Sequence, residues 1–173
     1  MDKLDKLSAW AIAALLVSVI LVIALQSDEV HSDQQPEEQQ RAAVYLRPDQ
    51  LNRIEVARSL LAQNSLEQSA GLLRTLAEEL PYEGQVHMLL GELHMRKQDS
   101  IAAMLAYRTA IDLHPDFLDK KAPDFQGKQV KVAVQEASVE IGRRLQQNQG
   151  DSELKEIRRT LYYMLRRIAG SCG

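Results

Sequence analysis

His87 and His94 are the side chains of this chain best suited to hold a metal or relay a proton, and their spacing argues against both. Seven residues along one helix is two turns, about 10.5 Å, so one ion reaches both imidazoles only if the helix breaks. The i, i+4 spacing that puts two histidines on one metal is missing. Both read instead as packing residues. Glu78-Glu79 is the densest carboxylate pair among the helical patterns, and it reads as a solvated helix end rather than a general acid–base pair. The sequence has no glycine-rich phosphate loop, no Gly-x-Ser-x-Gly elbow and no metal-binding cysteine cluster. Its single cysteine, Cys172, excludes an intrachain disulfide and leaves no thiol pair for a metal. The expectation is a protein without catalytic residues, cofactor or metal, working by binding.

Cations give the first binding candidate. Lys155, Arg158, Arg159, Arg166 and Arg167 fall on the polar side of one helical pattern, beside Tyr162 and Tyr163. Such a face can meet an acidic protein or anionic lipid headgroups. The plain alternative is a solvated helix face whose last-turn arginines complement the helix dipole. The formal net charge of -3 argues against indiscriminate nucleic-acid binding.

The elements that would position these groups read as helices throughout. Aromatic residues make up 5% of the 173 residues, and there are only 8 glycines and 5 prolines to interrupt helices. Pro48-Asp49 opens a first helical pattern carrying Leu51, Ile54, Val56, Ala57, Leu60 and Leu61. Asn64-Ser65 turns the chain into a partner helix over 66–80. A second pair is expected over 85–97 and 100–113, then an irregular connection over 116–127 containing Pro123 and Gly127. Over 129–147, Val130, Val132, Ala133, Val134, Ala137, Ile141 and Leu145 make an apolar stripe. Gly150-Asp151-Ser152 breaks the pattern and caps a last helix over 152–169, with Leu154, Ile157, Leu161, Met164, Leu165 and Ile168 on one side and Gly170 as a C-terminal cap.

Ahead of these lies an anchor. Residues 7–25 carry no charge and are dominated by Ala, Leu, Val and Ile, nearly long enough to cross the roughly 30 Å of a hydrocarbon core. A cleaved signal peptide usually has a shorter apolar region and a small-x-small site, which Ala24-Leu25-Gln26 does not supply. Lys3 and Lys6 precede the span, and Asp28, Glu29, Asp33, Glu37 and Glu38 follow it. Residues 1–6 are therefore expected in the cytoplasm and the bulk of the chain outside it, in the periplasm if the host is Gram-negative. Residues 26–47 read as a polar linker, too hydrophilic to build a core.

One phrase recurs. Leu90-Gly91, Ala103, Tyr107, Ala110 and Pro115 place small side chains where two helices touch, a ring in the gap, and a proline at the end. A weaker copy lies 34 residues upstream, with Ala57, Ser69, Leu73, Leu76 and Pro81. Across residues 50–115 the chain resembles the tetratricopeptide repeat family, an all-α fold of stacked helix pairs. Leu89-Leu90-Gly91-Glu92 and Leu105-Ala106-Tyr107-Arg108 also look like the membrane-anchored repeat subunits of bacterial cytochrome c maturation.

The resemblance implies two repeats over 48–115; because an open stack needs its exposed end covered, the last two helices, over 128–173, read as a third hairpin, a degenerate repeat or a cap. The resemblance also implies a concave groove, lined by the first helix of each pair, that binds a protein or extended peptide. Carried over by position, the groove residues are Leu51, Ile54, Arg58, Leu61 and Ala62 from one repeat, and Gln85, Met88, Glu92, Met95 and Arg96 from the next. Whether the third hairpin fills that groove stays open. The function expected is a membrane-anchored adaptor or assembly factor. The alternatives are a self-associating scaffold and an accessory subunit of cytochrome c maturation.

Overall fold

The computed structural model describes residues 46–148 and 150–170. The span expected at 7–25, nearly all of the linker expected at 26–47, and Cys172 lie outside these residues. Among the described residues no helix is long and apolar enough to cross a membrane. They form an all-α structure: α1 (Pro48–Ala62), α2 (Leu66–Glu79), α3 (Gly84–Arg96), α4 (Ser100–Leu113), a 3-10 turn (Pro115–Leu118), α5 (Gly127–Gln147) and α6 (Ser152–Gly170).

Local chemistry sets the helix starts. The Arg47 amide donates to Gln50 Oε1 at 2.9 Å, and Pro48 occupies the first turn of α1. Glu83, Asp99 and Asp151 each offer a carboxylate oxygen to an otherwise orphaned amide, those of Gln85, Ala102 and Leu154, at 3.0 Å. The two tight turns share a feature that side-chain patterning did not reveal. Asn64 (φ 57°) ends the α1–α2 turn and Gln98 (φ 61°) the α3–α4 turn, both left-handed and 34 positions apart. Asparagine tolerates that region well; glutamine does so only with strain.

The first four helices are knitted by close approach. α1 packs on α2, α3 lies against both, and α4 packs tightly on α3. A Cβ built on Gly91 would lie 2.4 Å from the Tyr107 ring, so only glycine admits the ring there. Ala57, Ser69, Leu73 and Leu76 in the first hairpin are as fully enclosed as Gly91, Ala103, Tyr107 and Ala110 in the second. Ser69 stands where the second copy has Ala103, and its hydroxyl donates to the Ala57 carbonyl at 3.3 Å. That bond satisfies the hydroxyl in a place that otherwise demands an apolar residue. Ion pairs lie at the edges: Arg53 of α1 with Glu79 of α2, and Glu67 of α2 with Lys97 just past α3.

The third hairpin is set differently. The connection after α4 opens with the 3-10 turn, which buries Phe117 and Leu118, and the Gln126 amide closes it onto the Phe117 carbonyl at 2.9 Å. Beyond it α5 runs along α4, and α6 packs on α5 and also reaches α4. α3 and α5 share little backbone contact, whereas α1 and α3 lie together. One core joins Met88 of α3 to Met104, Tyr107 and Ile111 of α4, to Val130, Val134 and Ile141 of α5, and to Leu161 and Met164 of α6. The expected stripes need trimming. Val56 and Val132 are 45% and 47% exposed, lying off the 3–4 spacing that the buried residues keep, and Leu165 is 41% exposed although it lies four residues past Leu161. Gly170 falls inside the last turn of α6 rather than capping it.

Two stability predictions follow from these contacts. Gly91→Ala forces the Tyr107 ring aside and should cost about 1–3 kcal/mol in chemical denaturation, and Tyr107→Leu in the same chain should return part of it. Gln98→Gly removes a left-handed side chain without touching the core, and it should raise stability by about 0.5–1 kcal/mol. An unchanged or lowered midpoint would show that the turn is not strained.

Candidate functional site

The ten residues expected to line a groove separate into two classes. Ile54, Leu61 and Met88 are core residues, 3%, 0% and 1% exposed, with no surface left for a partner. For Ile54 and Leu61 the cause is on α1 itself: with Ala57 they form the buried stripe of a helix flanked by α2 and α3. Met88 enters the core that α4, α5 and α6 build, and Met95 packs against that same core. The third hairpin thus draws both thioethers away from any groove.

The remaining residues keep a surface. Leu51 is 50% exposed, Arg58, Ala62 and Arg96 are exposed, and Gln85 and Glu92 are half-buried. Neither arginine is unengaged. Arg58 pairs with Glu55 at 2.7 Å and Arg96 with Glu92 at 2.8 Å, each one turn away on its own helix. Exposed pairs of this kind are worth only a few tenths of a kcal/mol, about 0.3–0.5, so an incoming carboxylate can exchange with them at little cost. Glu92 also reaches inward electrostatically. Burial, reinforced by the Glu92 charge, pushes the Tyr107 phenol well above its ordinary value.

The five cations expected on one basic face of α6 divide three ways. Arg167 is a structural bolt: half-buried, it donates from Nη2 to the Ile111 carbonyl at 3.3 Å and lies 6.0 Å from the Tyr163 ring centre. Its Nε is buried without a hydrogen-bond partner. Tyr163 completes the bolt by donating its hydroxyl to Asp112 of α4, a carboxylate that Arg108 also approaches at 3.4 Å. That hydrogen bond is the main reason the Tyr163 phenol titrates above its ordinary range. Arg159 is exposed and pairs with Glu156 at 2.6 Å beside a shallow hollow formed with Arg108, Ile157 and Tyr163. Lys155, Arg158 and Arg166 are exposed and make no ion pair among the described residues.

The histidines fit structural roles. His87 Nε2 donates to the Pro81 carbonyl at 2.9 Å, pinning the α2–α3 connection, and His94 is half-buried two turns on. Among the described residues no three His, Cys, Asp or Glu side chains converge as metal ligands would. His114, which the sequence reading did not single out, stacks obliquely on Phe117 at 5.8 Å and sits against Gly84. No protein-family model, curated protein or solved structure matches this chain.

The cations of α5 allow a pH test. Glu140 accepts hydrogen bonds from Arg143 and Arg144, which hold its carboxyl at about 2 against an ordinary 4.5. A depressed carboxylate stabilises the fold above its unfolded value and loses that contribution as pH falls toward its folded one. Glu140→Gln should therefore lower stability slightly at pH 6 and much less by pH 2, the gap shrinking with added salt. An NMR titration midpoint near 4.5 for Glu140 would refute the pairing.

Proposed function

We propose that this chain is a membrane-anchored adaptor or assembly factor whose short tetratricopeptide-type domain binds a protein or extended peptide across α1 and α3. One observation carries the reading. α1 and α3 pack together, and with Ile54, Leu61 and Met88 locked in the core they leave Leu51, Arg58, Gln85, Glu92 and Arg96 at the surface. That strip mixes an apolar anchor, amide donors and charges held in cheaply exchanged pairs. It suits a peptide backbone and acidic side chains better than it suits any single small molecule.

The repeat reading is supported by two features at the same 34-residue spacing: the enclosed small and large side chains, and the left-handed turn residues Asn64 and Gln98. The membrane reading is supported by the uncharged stretch over 7–25 and its flanking charges, with the binding domain on the extracytoplasmic side. An anchor of that kind confines the domain to the membrane plane. Confinement raises effective concentration, so modest affinity at the strip would suffice.

The test is a cross-linking pull-down of the full-length protein from native membranes, beside the double variant Arg58→Glu/Arg96→Glu. Each reversal meets a like charge one turn away, a penalty of a few tenths of a kcal/mol that leaves the fold intact by circular dichroism. The expected result is one complex recovered with the normal protein and lost with the variant. Recovery unchanged by both reversals would refute the strip, and recovery of further copies of this chain alone would replace the adaptor with a self-associating scaffold.

A further inference from the structure

We infer that the outer groove between α5 and α6 is a second docking site, shaped for an amphipathic helix of another protein that carries acidic residues beside its apolar stripe. The groove is a trough of about 520 Å³ whose accessible apolar surface comes from Leu145 of α5 and Leu165 of α6, above the core residues Ile141 and Leu161. Tyr162 also lines it. Leu165 and Tyr162 remain 41% and 53% exposed there, on a helix whose other outward positions are mostly charged.

The occupant's shape follows from the fold itself. The corresponding groove between α1 and α2 is filled by a helix, α3, which packs on both members of the hairpin and buries Val86, Leu89 and Leu93. That interface is finished at its edge by an ion pair, Glu67 of α2 with Lys97 at 2.8 Å. At the α5–α6 trough the sign of the edge is reversed: here the hairpin carries the cations, Lys155 and Arg158. An apolar helical stripe with flanking carboxylates complements it.

Charge also sets the partner's sign. Lys155 and Arg158 border the trough and make no ion pair among the described residues. The neighbouring cations are occupied: Arg143 and Arg144 by Glu140, and Arg159 by Glu156. The uncompensated charge at the trough is therefore positive. Two copies meeting face to face would set Lys155 and Arg158 against themselves, which disfavours a two-fold dimer through this surface.

The test uses the full-length protein in nanodiscs of neutral lipid and three fluorescein-labelled synthetic helices read by anisotropy. One has a leucine stripe with glutamate flanks, one the same stripe with lysine flanks, and one glutamate flanks with a scrambled stripe. The glutamate-flanked stripe should bind at least tenfold more tightly than the other two. Lys155→Glu/Arg158→Glu should reverse the preference for flanking charge with the circular dichroism spectrum unchanged. Arg58→Glu/Arg96→Glu should leave this binding unaltered, which separates it from the strip on α1 and α3. Equal binding of all three peptides, or no response to the Lys155/Arg158 reversal, would overturn the assignment. So would a concentration-dependent dimer in sedimentation that Leu165→Glu dissolves, since a second copy would then own the face. Binding of anionic vesicles lost on the same reversal, with the acidic peptide unbound, would overturn it in favour of a lipid surface.

Discussion

The close approach of Gly91 to the Tyr107 ring is the constraint on which the rest of the domain depends. A ring set where any Cβ would lie 2.4 Å away brings α3 and α4 together, and the same ring joins the core shared with α5 and α6. Burying a large aromatic removes roughly 150–250 Å² from water, so this one side chain contributes to both interfaces at once. The first hairpin reaches a similar contact with smaller parts, Ala57 against Ser69 and Leu73 in place of the ring. The hydroxyl is tolerated in that enclosed place because the Ala57 carbonyl accepts its hydrogen bond.

That core also decides which surfaces remain for binding. Because the third hairpin follows α4 rather than extending the α1–α3 row, it takes Met88 and Met95 as packing and leaves the polar part of the strip uncovered. The strip is accordingly less apolar than a groove lined by two methionines would be, and the recognition proposed there would lean on Arg58, Glu92 and Arg96. In the third hairpin, the bolt of Tyr163, Asp112 and Arg167 ties α6 to α4, while Lys155, Arg158 and Leu165 stay exposed. A single packing choice in the third hairpin thus shapes both candidate surfaces.

Much of this was legible in the residues. Period-3.6 patterning located six helices, with α4 spanning the expected 100–113 and the others within a residue or two. The pairing of Gly91 with Tyr107 was legible because a helix interior rarely keeps a glycine without a packing reason. The burial of Ile54, Leu61 and Met88 was not, since periodicity shows that a face is apolar and not which neighbour covers it. Nor was the division of the α6 cations. Positions 155, 158, 159, 166 and 167 span a broad arc, and only the packing of α6 on α4 turns Arg167 inward. The repeated left-handed turns escaped notice because Asn64 and Gln98 share a backbone conformation and not a side-chain type.

The central claim is that a protein partner lies across α1 and α3. It is tested most directly by site-specific photocrosslinking of the full-length chain in native membranes. A photoreactive residue would be placed at Leu51 or Gln85, with Thr75 on the exposed side of α2 as comparison. The account predicts one and the same cross-linked partner from positions 51 and 85 and none from 75. Cross-links of equal yield from all three, or from 75 alone, would contradict it.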